Sequence, residues 1–238
     1  MSQSLRCKDD VAESLDTPRE QPTVGIGAGP GRSAEFEALL RGRGVLQTVY
    51  NFLGAPLRMI VLPDAWSNRL GFTSLEDERL RAVCPEVRGR VLDVGAGTNR
   101  LIELYGNGVG VDVVEWGGGA MVVEDTRHLP FEDESFDTVT FLACLNHIPY
   151  RSEALLEAKR VLKSGGRVVV TMIGRLVGEV GHKLWWYSEE KHREVADGEL
   201  MGMDPEMVKS VLTGAGFVRL VHRRFLYRLN HLFVANKP

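Results

Sequence analysis

The run Val91-Leu92-Asp93-Val94-Gly95-Ala96-Gly97-Thr98-Asn99-Arg100 constrains the fold more than any other part of this chain. Val91, Leu92 and Val94 are apolar, and two of them are β-branched, as a strand covered on both faces requires. Gly95 and Gly97 then allow backbone angles and close approaches that a side chain would block. A polar run follows and opens a second apolar-patterned segment, Leu101 to Tyr105. Strand, glycine turn, helix is the unit that holds a nucleotide-like ligand at the carboxyl end of a parallel sheet. A purely structural glycine turn in an α/β protein is the plainer alternative.

The spacing separates two kinds of ligand. A dinucleotide fold places glycines at G-x-G-x-x-G, with a helix start facing a pyrophosphate. Here the third glycine of that pattern is Arg100. Asp93 also stands before the turn, where a carboxylate repels a diphosphate and suits an ammonium group. The pattern D-x-G-x-G-x resembles the first motif of class I S-adenosylmethionine-dependent methyltransferases, with Asn99 in place of the last glycine.

Three further stretches carry the same resemblance. Gly110-Val111-Asp112-Val113 ends a second apolar strand with an acid, a position from which a carboxylate takes ribose hydroxyls. Glu124-Asp125-Thr126-Arg127-His128-Leu129-Pro130-Phe131, followed by Ser135-Phe136-Asp137, resembles the family's G-D-A-x-x-L-P-F and S-F-D. Val161 to Val170 resembles its helix end, glycine turn and fifth strand. The nearest likeness is the small-molecule group that includes the quinone-biosynthesis enzymes, and it covers about Arg90 to Pro238.

The resemblance implies a Rossmann-like, seven-stranded, mostly parallel α/β sheet with its last strand antiparallel. It implies S-adenosyl-L-methionine as cofactor, with Gly95, Ala96 and Gly97 beside the methionine part and Asp93 favouring its ammonium. Asp112 would take the ribose, Asp125 with Thr126 the adenine edge, and Val113 or Trp116 the adenine face. Leu142 begins a loop, Leu142 to His147, expected to border the sulfonium. His147 is the first candidate base, since imidazole titrates near neutrality; His182 and Tyr187 are two more.

The rest of the chain divides around this core. Residues 1–33 mix charge, proline and glycine without a period and read as a flexible tail. Residues 34–86 read as a helical cap: Phe36, Leu39 and Leu40, then Val45, Leu46, Val49, Tyr50 and Leu53, recur at helical spacing. Ser33 and Ser74 stand as helix caps and Pro85 ends the third helix. Tyr50, Asp64 and Trp66 are candidates to line a substrate pocket. Residues 87–238 form the core, with strands at Val91–Val94, Val109–Val113, Ala120–Val123, Thr138–Leu142 and Arg167–Met172. Phe217–Phe225 and Asn230–Ala235 add the last two. A helix over Glu153–Lys163 with Ser152 as cap is expected, and another opening at Asp204-Pro205. Only Val113 to Gly119 separate the second strand from the third, too few for the helix the family places there. The insertion 174–202 holds Glu179, His182, Trp185, Trp186, Tyr187 and His192, and is expected to face the acceptor.

Composition closes off other classes. A formal charge of −3 argues against a broad nucleic-acid surface. The three cysteines are scattered and the histidines form no ligand-spaced cluster, so no metal site is expected. No secretion signal is present at the amino end, and cytoplasmic location is expected. Val45 to Leu62 is apolar but too short and interrupted to span a bilayer; it reads as a lid, with peripheral membrane contact as the alternative. The expected activity is methyl transfer to an O, N or C atom of a small, partly apolar acceptor. The alternatives are a protein or RNA methyltransferase and a non-catalytic S-adenosylmethionine-binding protein, with a nicotinamide-dependent dehydrogenase behind them. Oligomeric state is not legible.

Overall fold

The computed structural model describes residues 32–41, 44–53, 73–174, 198–200, 202–226 and 228–238. Helices α1 (Ala34–Leu40), α2 (Val45–Leu53) and α3 (Leu75–Val83) precede strand β1 (Val91–Val94). There follow α4 (Arg100–Tyr105), β2 (Gly108–Asp112), β3 (Met121–Val122), β4 (Phe136–Leu142) and α5 (Arg151–Val161). The chain closes with β5 (Leu162–Ile173), α6 (Pro205–Gly214), β6 (Val218–Phe225) and β7 (Asn230–Asn236).

The strands form one seven-stranded sheet in the order β3-β2-β1-β4-β5-β7-β6. β1 to β5 pair in parallel, and β7 lies antiparallel between β5 and β6. Order reverses beside β1, since the chain runs from β1 outward to β2 and β3, then returns to β4. That switch point opens a crevice at the carboxyl ends of β1 and β4.

Period-two alternation sends side chains to two cores. Leu92, Val94, Val111, Phe141, Val170 and Phe233 face α5 and α6, meeting Leu155, Ala158, Val208 and Leu212. Val91, Val169, Leu232 and Val234 face the other way, against Phe36 and Leu39 of α1, Leu80 and Val83 of α3, and Leu101 and Leu104 of α4. Phe36 is wholly buried, and such a side chain contributes about 1.5–3 kcal/mol. So α1 and α3 pack as part of the layer over the sheet.

Local chemistry sets the helix ends. Ser33 Oγ accepts from Phe36 N at 3.0 Å and Ser74 Oγ from Asp77 N at 2.9 Å, the two caps expected from sequence. Asp204 stands at the N-cap of α6, ahead of Pro205, but its side chain makes no capping bond. α5 departs from expectation: it begins at Arg151 after Tyr150, not at Ser152, and ends at Val161. Its successor β5 starts at Leu162, paired to Phe136, before a register shift to Thr138–Arg167. Gly165, at φ +70°, lets the chain loop out there. Between β2 and β3 there is no helix, as the residue count requires. Among the described residues, no helix is long and apolar enough to cross a membrane.

Candidate active site

The glycine turn is held by β2. Gly95 N and Ala96 N both donate to the Val111 carbonyl, at 2.8 and 3.0 Å. A Cβ on Gly95 would lie 2.6 Å from Cys144 Cβ, so only glycine lets the loop after β4 close against the turn. Gly97, at φ +52°, instead faces open space. Asn99 sits at φ +62°, the left-handed region that asparagine tolerates. It occupies the last glycine position of the motif without breaking the turn. Its Oδ1 is buried without a hydrogen-bond partner.

Two carboxylates converge on this turn. Asp112 is 8% exposed; its Oδ2 accepts from Gly97 N at 2.9 Å and its Oδ1 from Val114 N at 3.0 Å. Each oxygen keeps a lone pair for a ligand hydroxyl. Asp93 is 2% exposed and accepts from Thr140 Oγ1 at 2.5 Å. Burial pushes its carboxyl from 3.8 up to about 7, with the Asp112 charge adding and the Thr140 bond and Arg79 opposing. Such a group sits near the midpoint of its titration at neutral pH, and a bound cation would favour its ionised form. Cys144, on the other side, donates to the Val94 carbonyl at 3.0 Å. Burial and the charges of Asp93 and Asp112 hold its thiol well above the ordinary range. It is a packing residue, not a nucleophile.

The adenine-side residues expected from sequence are partly self-engaged. Asp125 Oδ1 accepts from Arg127 N at 2.8 Å and Oδ2 from Arg127 Nε at 2.6 Å. The Arg127 bond holds this carboxyl below its usual range. The Arg127 guanidinium lies 4.0 Å from the Tyr150 ring centroid, a cation–π contact. Thr126 is buried beside it. Val113 and Trp116 are exposed, at 51% and 40%. The connection carrying Trp116 folds back on the glycine turn, where the Thr98 backbone fills the place of any Cβ on Gly118.

At the end of β4, Leu142 is half-buried and Ala143 takes φ +56°, a strained angle of the kind that clusters at functional sites. A single 3-10 turn, Leu145–His147, follows. His147 Nδ1 lies 3.1 Å from Glu199 Oε2. Asp93, Gly95, Ala96, Gly97 and Asp112 are therefore brought to one crevice, with Leu142 and His147 on the adjoining loop. Thr140, Arg127, Gly118 and Glu199 were missed. Thr140 has an ordinary strand pattern around it, and Glu199 lies 52 residues from its partner. His182, Tyr187, Glu179, Trp185, Trp186, His192, Asp64, Trp66 and the tail 1–31 lie outside the described residues. A cleft lined by Arg88, Gly89, Asp137, Lys163 and Gly165 lies at the opposite, amino end of β4. The Lys163–Asp137 ion pair and the Arg88 bond to the Gly165 carbonyl partner its charged groups within the protein.

Residues 92–170 match the family model described as a methyltransferase domain. A ubiquinone/menaquinone biosynthesis C-methyltransferase of Azotobacter vinelandii is 29% identical over 184 residues, covering 71% of this chain and 68% of that protein. An uncharacterized protein of Methanocaldococcus jannaschii is 27% identical over 176 residues, covering 69% of this chain and 82% of that one. A solved structure from Thermotoga maritima superposes with a TM-score of 0.54 at 22% identity, covering 68% of this chain and 88% of the other. It is described as an S-adenosylmethionine-dependent methyltransferase and a possible histamine N-methyltransferase. A Pyrococcus horikoshii protein gives a TM-score of 0.50 at 23% identity, covering 67% of this chain and 90% of the other. The two structures share the fold described above.

Proposed function

The chain belongs to the class I S-adenosylmethionine-dependent methyltransferases, and from that premise we propose that it methylates a small, partly apolar molecule at an O, N or C atom. The observation that carries this reading is the crevice itself. Two buried carboxylates, Asp93 and Asp112, flank a glycine turn whose Gly97 faces open space. A diphosphate would be repelled there, whereas a zwitterion with a ribose fits: one acid for an ammonium, one for two hydroxyls. When bound, S-adenosylmethionine supplies an activated methyl on a positive sulfur.

The residues then have distinct tasks. Gly95, Ala96 and Gly97 give backbone room beside the methionine moiety. Asp93 favours its ammonium and Asp112 takes the ribose. Asp125 and Thr126 meet the adenine edge, with Arg127 yielding one carboxylate lone pair, and Val113 packs on the ring with Trp116 near. Leu142 borders the reacting methyl. Little else is required of the protein than to bind both partners in line and exclude water.

The acceptor class rests on the relatives of quinone biosynthesis and on an apolar helix face on α2. Val45, Leu46, Val49 and Tyr50 on that helix are exposed, which supports an apolar acceptor or peripheral membrane contact in front of it. We treat residues 34–86 as a helical cap whose α1 and α3 complete the layer over the sheet, residues 87–238 as the cofactor core, and the cytoplasm as the site of action. Calorimetry with S-adenosylmethionine, S-adenosylhomocysteine and NAD tests the cofactor site. Micromolar binding of the first two without NAD is expected. Transfer of labelled methyl to hydroquinones, phenols and amines, against histone-like peptides and RNA, then tests the acceptor. Transfer to peptide or RNA alone would refute the small-molecule reading.

A further inference from the structure

The loop after β4 carries an ionisable pair that no sequence pattern announces. His147 Nδ1 stands 3.1 Å from Glu199 Oε2, and the Glu199 side chain is 4% exposed. On the other side of the ring, Asn146 Nδ2 lies 3.0 Å from His147 Nε2 and also donates to the Leu200 carbonyl at 2.9 Å. A carboxylate oxygen only accepts, and an amide nitrogen only donates. The proton of the neutral ring is therefore on Nδ1, facing Glu199, and Nε2 presents a lone pair.

Hydrogen bonds frame the pair. Leu200 N donates to the Asn146 carbonyl at 2.9 Å, and His147 N to the Cys144 carbonyl at 2.8 Å. Arg151 holds the Gly198 carbonyl at 2.7 Å, next to Glu199. Cys144, two residues before Asn146, is the residue packed against Gly95 of the glycine turn. Among the described residues, Arg151, the Arg127–Asp125 pair over Tyr150, and Asp93, Asp112 and Arg79 on the Cys144 side are charged groups that flank this loop.

A buried carboxylate that fixes the tautomer of an imidazole and stabilises its cation is what a general base needs. We propose that His147 accepts a proton through Nε2 during methyl transfer, with Glu199 as its positioning residue. The acceptor is then a hydroxyl compound or a carbon acid of the hydroquinone type, rather than a neutral amine. This rests on the methyltransferase reading above. The step balances: the acceptor O–H proton moves to His147 Nε2, and the electron pair it leaves forms the new bond to the methyl carbon. That bond forms at oxygen or, by conjugation, at a ring carbon. The pair of the broken carbon–sulfur bond stays on sulfur. Where carbon is the site, the product is a dienone, and its ring C–H proton passes through water to the ring oxygen, which restores aromaticity and the hydroxyl. The Asn146 amide fills the Nε2 lone pair until an acceptor hydroxyl replaces it.

Two readouts test this on the full chain with S-adenosylhomocysteine bound. Nitrogen-15 histidine spectra should show His147 protonated at Nδ1 in the wild type, with that tautomer weakened in Glu199→Gln and recovered in Glu199→Asp. With a short-chain prenyl hydroquinone as acceptor, His147→Gln should lower kcat by about 10²-fold or more and leave cofactor affinity intact. Glu199→Gln should lower kcat with little change in acceptor KM, and Glu199→Asp should restore part of it. A ring protonated at Nε2, or a Glu199→Gln variant that loses thermal stability and cofactor affinity without moving either readout, would reduce the pair to a structural clasp and overturn the proposal. A wild type that binds S-adenosylmethionine but methylates only a matched amine, or neither compound, overturns the acceptor class while the cofactor assignment stands. Failure to bind S-adenosylmethionine at all would instead overturn the reading beneath it.

Discussion

Replacing Asp93 with asparagine should change how stability depends on pH, and the size follows from burial. Asp93 is 2% exposed and its carboxyl is pushed from 3.8 up to about 7. Between those values the folded chain holds a proton that the unfolded chain has released. Stability from this group is complete below the ordinary value and is lost as pH rises through about 7. The whole displacement is worth about 4 kcal/mol, of which roughly 2.5 kcal/mol falls between pH 5 and pH 8. The amide of the Asp93→Asn variant keeps an oxygen for Thr140 and has no charge to desolvate. Urea denaturation of both proteins from pH 5 to pH 8 should therefore show wild type falling behind the variant by about that amount. The same charge decides ligand affinity if Asp93 meets an ammonium. Its ionised fraction rises from about a tenth at pH 6 to about nine-tenths at pH 8. The ratio of wild-type to variant affinity for S-adenosylmethionine should rise about tenfold over that range; taking the ratio cancels the ligand's own titration. Parallel stability curves would refute the buried acid, and a constant affinity ratio would refute its contact with the ligand.

Gly118→Ala should cost about 1–3 kcal/mol by chemical denaturation, because the Cβ meets the Thr98 backbone, which cannot swing aside. It should also weaken cofactor binding, since Thr98 belongs to the glycine turn. Asp112→Ala leaves Gly97 N and Val114 N without their acceptor. Calorimetry should show S-adenosylhomocysteine affinity reduced about tenfold or more; unchanged affinity would refute the ribose assignment. His222 Nε2 and His231 Nδ1 lie 2.8 Å apart beside Phe233, and burial holds both rings below their ordinary 6.5. The unfolded chain then takes up protons first, so stability from this pair is present above pH 6.5 and is lost as pH falls through it. His231→Gln should reduce that acid-side loss by the His231 share in the same denaturation series, leaving that of His222, and an unchanged slope below pH 6.5 would count against it.

The sequence alone determined the strand–turn–helix unit, because the glycines at 95 and 97 and the apolar run before them leave few other conformations. It also determined the caps at Ser33 and Ser74, where a hydroxyl directly ahead of an acidic first turn has one obvious task. The missing helix between β2 and β3 followed from arithmetic, since too few residues remain. These are local facts, and local chemistry decides them. The start of α5 was not legible in this way: Ser152 is the better cap by propensity, yet the helix begins at Arg151, whose guanidinium donates to the distant Gly198 carbonyl. The state of Asp93 needed the fold as well. Its acidity depends on burial beneath the assembled sheet and on Thr140 of a neighbouring strand, which the sequence separates by 47 positions. Glu199 is the extreme case, an ordinary acid until the return of the chain sets it against His147. Motifs record contacts between residues near in sequence; electrostatics at a site depends on distance in space, and only the tertiary structure decided that.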